Sequence, residues 1–296
     1  MVVLVTGANG QLGQSIRFIA ANYPNIEFVF CASTDLDITN KEQCIAIFTH
    51  SKPDFCINAA AYTAVDKAES EQEKAHLINV EGAKNLAQSC KDFGTTLLHV
   101  STDFVFDGSK LAPYTEEDAT NPQSVYGQTK LDGEKAIQDI FEKYFIIRTS
   151  WVYSQFGNNF MKTMLRLGSE RDRLSVVNDQ IGTPTNAVDL AKVLMIIIKT
   201  NCQPELVEGQ PSTNHFGIYN FSNDGQCSWF DFAKAIFEVN SITIDLQPIP
   251  TASYPTPAKR PSYSVLDKTK IKSTFGIEIL DWQSSLKTVI SSETKR

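Results

Sequence analysis

Val2-Val3-Leu4-Val5-Thr6-Gly7-Ala8-Asn9-Gly10-Gln11-Leu12-Gly13 opens the chain as an apolar, β-branched run that turns through three spaced glycines. A helix-like stretch from Gln14 to Ala21 follows at once. Strand, glycine turn and helix in this order form a device for holding a pyrophosphate. Gly7 takes a tight turn without a side-chain clash, and Gly10 lets a ligand come close to the backbone. Gly13 lets the new helix pack on the strand, and the free N–H groups of its first turn face the anion. The spacing is G-x-x-G-x-x-G rather than G-x-G-x-x-G, and the ordered trio of elements predicts a dinucleotide site.

The same alternation continues outward. Strands are expected at Val2–Thr6, Phe28–Ala32, Phe55–Ala59, Leu97–Ser101 and Phe145–Arg148. Helices are expected at Gln11–Ala21, Lys41–Thr49, Ala75–Phe93 and Val125–Phe141. Regular β–α alternation predicts an α/β fold, a doubly wound parallel sheet with helices on both faces and ligands at its carboxyl edge. After Arg148 the loops lengthen and Pro, Asn and Thr cluster at 178–186 and 248–261, which predicts a second, smaller lobe. A helix at Asn186–Thr200 and a strand at Ile218–Phe221 are expected to return to the first lobe, and Glu205–His215 to be a surface loop. The cofactor domain is therefore expected over 1–150 plus a return segment near 186–224, and the substrate domain over 151–185 and 225–296.

Bulk properties narrow the function classes. The 296 residues carry a net charge of −7 with no basic stripe, which argues against a nucleic-acid partner. The most apolar stretch, Val193–Ile198, sits between Lys192 and Lys199 and is far too short to span a bilayer. The N-terminal strand shows no cleavable signal pattern. The six cysteines form no C-x-x-C pair, and Cys31 and Cys56 lie in strand-like runs as expected of buried free thiols. A reducing, cytoplasmic compartment is the expectation. His50, His76, His99 and His215 have no metal-ligand spacing, so no metal site is expected from them.

Tyr126-Gly127-Gln128-Thr129-Lys130 places Tyr and Lys on one face of an expected helix. An ammonium beside a phenol favours the phenolate, so the tyrosine pKa is expected to fall toward neutrality. Ser101-Thr102-Asp103 follows a strand, which puts the Thr102 hydroxyl at the carboxyl edge, where a substrate carbonyl shared with Tyr126 would sit. Alone, Thr102 also reads as a turn cap. Asn58-Ala59-Ala60 ends another strand, and its small residues suit either close approach of a nicotinamide or tight packing. The second strand ends at Cys31-Ala32-Ser33-Thr34, with Asp35 later and no arginine nearby in sequence to clamp a ribose phosphate.

With these motifs in place, the chain resembles the extended short-chain dehydrogenase/reductases, and within them the dTDP-4-dehydrorhamnose reductases. The resemblance runs over nearly the whole length. It rests on Gly7–Gly13, Asn58-Ala59-Ala60-Ala61-Tyr62-Thr63-Ala64-Val65-Asp66-Lys67-Ala68-Glu69, Ser101–Gly108, Tyr126–Lys130 and Arg148-Thr149-Ser150-Trp151-Val152-Tyr153. Gly157–Phe160, Asp179–Thr185 and Arg260–Asp267 extend it. The resemblance implies a Rossmann-type fold and hydride transfer from a nicotinamide to C4 of a dTDP-keto-sugar. In it Tyr126 gives the proton, Lys130 tunes it and holds the nicotinamide ribose, and Thr102 polarises the carbonyl. It further implies Asn9, Gln11, Leu12, Asp37, Ile38 and Ala61, beside Gly7, Gly10, Gly13, Ala59 and Ala60, as cofactor contacts. Asp37 also reads as a helix-start carboxylate. Asp103, Phe104, Trp151, Asn159 and Arg260 are the implied substrate contacts. Arg260 separately suits a diphosphate or a surface salt bridge. NADPH is the expected cofactor, with use of NADH left open. The expected partner is a dTDP-sugar, and the chain is expected to be a monomer or homodimer. Some members of this family bind magnesium through glutamates at a dimer interface. The aligned positions here hold Ser15 and Val188, with Glu293 shifted, and no metal is expected.

Two other function classes share these features. A sugar-nucleotide epimerase or dehydratase uses the same fold, but dehydratases carry a glutamate where Phe104 stands, and a phenyl ring moves no proton. A cofactor-binding regulatory subunit of methionine adenosyltransferase is the non-enzymatic alternative.

Overall fold

The computed structural model describes residues 1–202 and 215–293. Its central sheet has six strands, all parallel, in the order Gly217–Asn220, β5 (Tyr144–Thr149), β4 (Thr96–Thr102), β3 (Phe55–Asn58), β1 (Val2–Thr6), β2 (Glu27–Cys31). The strands read as near-continuous apolar runs because both faces are covered. Val3, Val5, Phe55, Ile57, Leu98, Phe145 and Ile147 enter one core with the helices Gln11–Ile19 and Ala187–Cys202. The alternate residues Leu4, Cys56, Leu97 and Ile146 enter a second core with the helices Lys41–Ser51 and Gly82–Phe93. The two-residue period of a strand thus splits one sequence between two layers.

The winding direction reverses between β1 and β3. From β1 the chain moves out to β2, crosses back to β3, and continues to β4 and β5. Ligands in open α/β sheets bind at the carboxyl ends beside such a reversal. The glycine turn after β1 and Asn58-Ala59-Ala60 after β3 flank it directly.

A third core joins the helices Phe160–Glu170, Trp229–Val239 and Trp282–Glu293 with the strand Arg173–Val177. That strand pairs in parallel with Asp245–Ile249. The second of these was expected to be loop from Pro248 on. Proline is tolerated because this sheet has only two strands, so one side of each needs no donor.

The helix expected over Ala75–Phe93 is broken into Gln72–His76, a wide π turn at Leu77–Glu81, and Gly82–Phe93. The wide turn displaces Asn79. Its side chain accepts from Tyr62 N at 2.8 Å and donates to Tyr62 O at 3.2 Å and to Thr129 Oγ1 at 3.0 Å. It so braces the loop after β3 against the helix Val125–Ile140. Cys31, Cys44, Cys56, Cys90 and Cys227 are buried free thiols. The Glu205–His215 loop falls outside the described residues except for His215. Among the described residues no helix is long and apolar enough to cross a membrane.

Candidate active site

The glycine turn is closed by Gly10 N donating to Gly7 O at 2.9 Å. Gly7 has φ +63°, and a Cβ there would lie 2.6 Å from Ala59 O and Ala60 N. A Cβ on Gly13 would lie 2.5 Å from Gly7 O. These two glycines are demanded by the fold itself. Gly10 differs, since its φ is −74° and a Cβ would meet only Gly7 O, at 3.2 Å. Gly10 caps the helix Gln11–Ile19 without a side-chain bond, and the first turn holds no acid. The N–H groups of that turn therefore face outward without an intramolecular cap, as an anion site requires. Asn9 is exposed and Leu12 buried. Gln11 Oε1 accepts from Ser154 Oγ at 3.2 Å and Asn159 Nδ2 at 2.9 Å, tying the turn to the other lobe.

β4 delivers Thr102 and Asp103 to the same edge. Thr102 Oγ1 accepts from Phe104 N at 3.2 Å and contacts Asp103 Oδ1 at 3.1 Å, so the turn-cap reading is realised. The helix Val125–Ile140 begins beside it. Ser124 caps this helix by accepting from Gly127 N, and Glu69 Oε1 accepts from Val125 N at 2.9 Å. Tyr126 stands in its first turn, with the Phe104 ring edge-on at 5.5 Å. Burial pushes the Tyr126 hydroxyl up to about 12, opposed by a hydrogen bond with Thr102 and reinforced by Asp103. The sequence-based expectation of a lowered tyrosine is therefore corrected. Lys130 Nζ is turned to Val100 O at 2.7 Å and His99 Nε2 at 3.2 Å. Lys130 itself is lowered to about 8, by burial first, against the pull of Glu134. Asp103 is raised to about 6 by burial, with hydrogen bonds from Ser264 and Thr102 holding it back.

Below the lysine, Glu134 accepts Arg148 Nη2 at 2.7 Å and Nε at 3.1 Å, and also the Ser101 hydroxyl. This buried pair fixes the helix to β4 and β5. Breaking one half of such a pair costs far more than the pair contributes.

The remaining expected residues are spread. Asp35, not Asp37, closes the end of β2, accepting from Ala32 N at 2.9 Å. Asp37 Oδ1 accepts from Thr39 N and Oγ1 at 2.9 and 2.8 Å, and Ile38 is buried against Gly82. In space, Arg17 of the helix Gln11–Ile19 lies beside β2, with its guanidinium 4.1 Å above the Phe30 ring. Helix packing brings it there across a separation that a local reading of sequence does not span. Asn159 caps the helix Phe160–Glu170, accepting from Lys162 N at 3.0 Å, and donates to Gln11 and Ser154. Trp151 has φ +48° and stacks on Trp229 with centroids 3.6 Å apart. Arg260 forms a bidentate pair with Asp66, at 3.0 and 2.8 Å. Ser15 is buried and donates to Gln11 O, and Val188 packs against the first core. The Glu293 side chain falls outside the described side chains.

Residues 1–295 match the family model described as RmlD substrate binding domain. The chain belongs to the dTDP-4-dehydrorhamnose reductase family. A relative named dTDP-4-dehydrorhamnose reductase from Aggregatibacter actinomycetemcomitans is 44% identical over 97% of this chain and 97% of its own. The crystal structure of such a reductase from Clostridium acetobutylicum superposes with TM-score 0.92 at 42% identity, covering 99% of this chain and 100% of that one. That of a Bacillus anthracis dTDP-4-dehydrorhamnose reductase in complex with NADP gives TM-score 0.90 at 36% identity, over 98% and 99%.

In this member of the reductase family one feature was missed by sequence reasoning. A cleft of about 1080 Å³ opens beside the third core, with Phe160, Met164, Leu174 and Trp229 among its apolar lining and Arg166, Arg171, Arg173 and Arg260 among its cations. Arg166 pairs with Glu170, Arg173 with Asp245 and Arg260 with Asp66. Arg171 forms no ion pair among the described residues. Trp229 lines the cleft and stacks on Trp151, so the cleft adjoins the tryptophan that the resemblance assigns to the sugar. Its residues come from two helices, two strands and the loops around them, spread over about a hundred positions, and no local motif announces them.

Proposed function

We propose that the chain reduces the C4 keto group of dTDP-4-dehydro-L-rhamnose to give dTDP-L-rhamnose, with NADPH as hydride donor. The observation that carries the reading is the meeting of Thr102, Tyr126 and Lys130 at the carboxyl edge, beside the sheet's reversal and a cap-free helix N-terminus. The turn residues Gly7, Asn9, Gly10, Gln11, Leu12 and Gly13, with Ala59, Ala60 and Ala61, hold the dinucleotide. Asp37 and Ile38 border its adenine end. The cofactor, when bound, supplies the hydride. Tyr126 gives its proton to the C4 oxygen and Thr102 donates a hydrogen bond to the same oxygen. A phenol held near 12 keeps its proton until charge develops on that oxygen, which suits an acid acting in the reduction direction. Lys130 tunes Tyr126 and holds the nicotinamide ribose.

The cofactor domain is assigned to 1–150 with the segment near 186–224, and the substrate domain to 151–185 and 225–296. The arginine-rimmed cleft suits a nucleoside diphosphate: apolar and aromatic walls for the base, with Arg171 as a charge-assisted donor to phosphate. Asp103, Phe104 and Trp151 face the sugar. Phe104 packs edge-on against Tyr126 where a dehydratase needs a proton-moving group, which favours simple reduction. The test is product analysis after incubation with dTDP-4-dehydro-L-rhamnose and NADPH. NADPH oxidation with formation of dTDP-L-rhamnose is expected. Epimerised product without net oxidation, or cofactor binding without turnover, would each refute the reading.

A further inference from the structure

His99 lies on β4 with both ring nitrogens engaged in a buried chain of hydrogen bonds that ends on Lys130. The direction of that chain can be read from its far end. Ala60 N donates to Asn58 Oδ1 at 3.1 Å, and Thr6 Oγ1 donates to the same oxygen at 2.7 Å. A backbone N–H only donates, so the atom facing it is the amide oxygen, and the Asn58 side chain cannot be turned over. Asn58 Nδ2, a donor, then faces His99 Nδ1 at 3.0 Å. His99 Nδ1 must accept, which leaves the single proton of a neutral imidazole on Nε2. Burial holds His99 neutral.

His99 Nε2–H stands 3.2 Å from Lys130 Nζ. An ammonium has three donors and no acceptor, so a charged lysine would set donor against donor at this contact. An uncharged amine satisfies it, accepting from His99 while donating to Val100 O at 2.7 Å. The opposing influences on Lys130 are also in view. Glu134 lies one turn on along the same helix and favours the charged lysine, but its carboxylate is already paired with Arg148 of β5. Tyr126 on the helix and Asp103 after β4 are further titratable groups at this edge.

The geometry points to His99 as a positioning residue: through an Nε2–H tautomer dictated by Asn58, it holds Lys130 Nζ at the Val100 carbonyl and sets the lysine's affinity for its proton. The role of Lys130 in reduction rests on the function proposed above, whereas the tautomer does not. It adds a tuning element that reaches from β1 through β3 and β4 to the lysine. The unprotonated amine is the form that this chain of bonds favours, so the protonated lysine that would stabilise a tyrosinate must be formed against it.

Nitrogen NMR of the ligand-free protein reads the tautomer directly. Protonated Nε2 and bare Nδ1 are expected for His99, unchanged across about pH 6 to 9, and protonated Nδ1 would overturn the inference without any variant. Asn58→Asp replaces the donor facing Nδ1 by an acceptor. It should move the His99 proton to Nδ1 and free Nε2 to accept from an ammonium. The alkaline limb of kcat/KM for the sugar nucleotide, expected in wild type near the lysine value of about 8, should then rise by about one pH unit or more. His99→Gln keeps an acceptor and a donor in the same order and should leave that limb in place. A reversed tautomer in Asn58→Asp with an unmoved limb, or a limb that moves equally in His99→Gln, refutes the coupling. Full turnover by Lys130→Met would instead remove the catalytic assignment of the lysine and leave the tautomer measurement standing.

Discussion

Tyr126 and Asp103 are two acids made weaker by the same dry edge, and each yields a separate test. Tyr126→Phe keeps the ring that packs on Phe104 and removes the proton. A loss of at least about 100-fold in kcat is expected, the low end of general-acid contributions, with NADPH affinity little changed in a binding titration. Turnover near wild type would dismiss the tyrosine as donor. Asp103 tests stability. Its folded-state value of about 6 lies above the ordinary 3.8, because burial disfavours its charge. Between those two values the folded protein binds more protons than the unfolded chain, so stability falls as pH rises through that window and stays low above it. Asp103→Asn cannot ionise and keeps an oxygen for Thr102. It should be more stable than wild type above about pH 6, by at most about 3 kcal/mol, and should converge with it near pH 4. Urea midpoints at both ends of the window decide this, and an equal gap at both ends would contradict it.

At the scale of elements, the glycine turn separates what the fold needs from what a ligand needs. Gly13→Val would drive a side chain into Gly7 O and Ala8 backbone atoms 2.5 Å away, and a loss of roughly 1–3 kcal/mol or more is expected in thermal or urea unfolding. Gly10→Val meets one oxygen at 3.2 Å in an extended conformation, so unfolding should change little while NADPH binding is lost. Unchanged affinity in Gly10→Val would make the turn merely structural. This contrast also marks where the sequence was legible. β1, the turn and the following helix are contiguous, and their apolar period and glycines state their own geometry. The same holds for β3 to β5, where Phe55-Cys56-Ile57, Leu97-Leu98 and Phe145-Ile146-Ile147 are apolar on both faces. The pairing of Arg173–Val177 with Asp245–Ile249 was hidden because its two halves are distant and Pro248 imitates a loop. The wide turn at Leu77–Glu81 has no breaker residue to announce it. His99 read as one apolar-strand histidine among four, because only the fold brings Asn58 and Lys130 to its two nitrogens.

At the scale of the molecule, the polar links that join the later part of the chain to the cofactor edge include Gln11 with Asn159, and Asp66 with Arg260. The second alters what Arg260 can be asked to do. A surface arginine reaching a diphosphate would be free to move, whereas this one is held in a bidentate fork by a carboxylate of the short helix Val65–Ala68 that follows β3. That carboxylate is held below its ordinary range, first by its hydrogen bond to Arg260. Both side chains are partly exposed, at 25% and 39%, so the pair contributes modestly to stability and its main effect is geometric. If the fork sets the closure of the cleft over the cofactor edge, Asp66→Asn should raise the sugar-nucleotide KM about 3- to 10-fold with unfolding midpoint and NADPH affinity nearly unchanged. Arg260→Ala loses the fork together with any bond to phosphate, worth roughly 1.5–3 kcal/mol, and should raise KM by about 10- to 150-fold. The double variant should then be no worse than Arg260→Ala alone, since Asp66 acts only through Arg260. Additive losses in the double variant would show that Asp66 acts elsewhere. An unchanged KM in both single variants would reduce the pair to a solvated surface contact and leave Arg171 as the cleft's donor to phosphate.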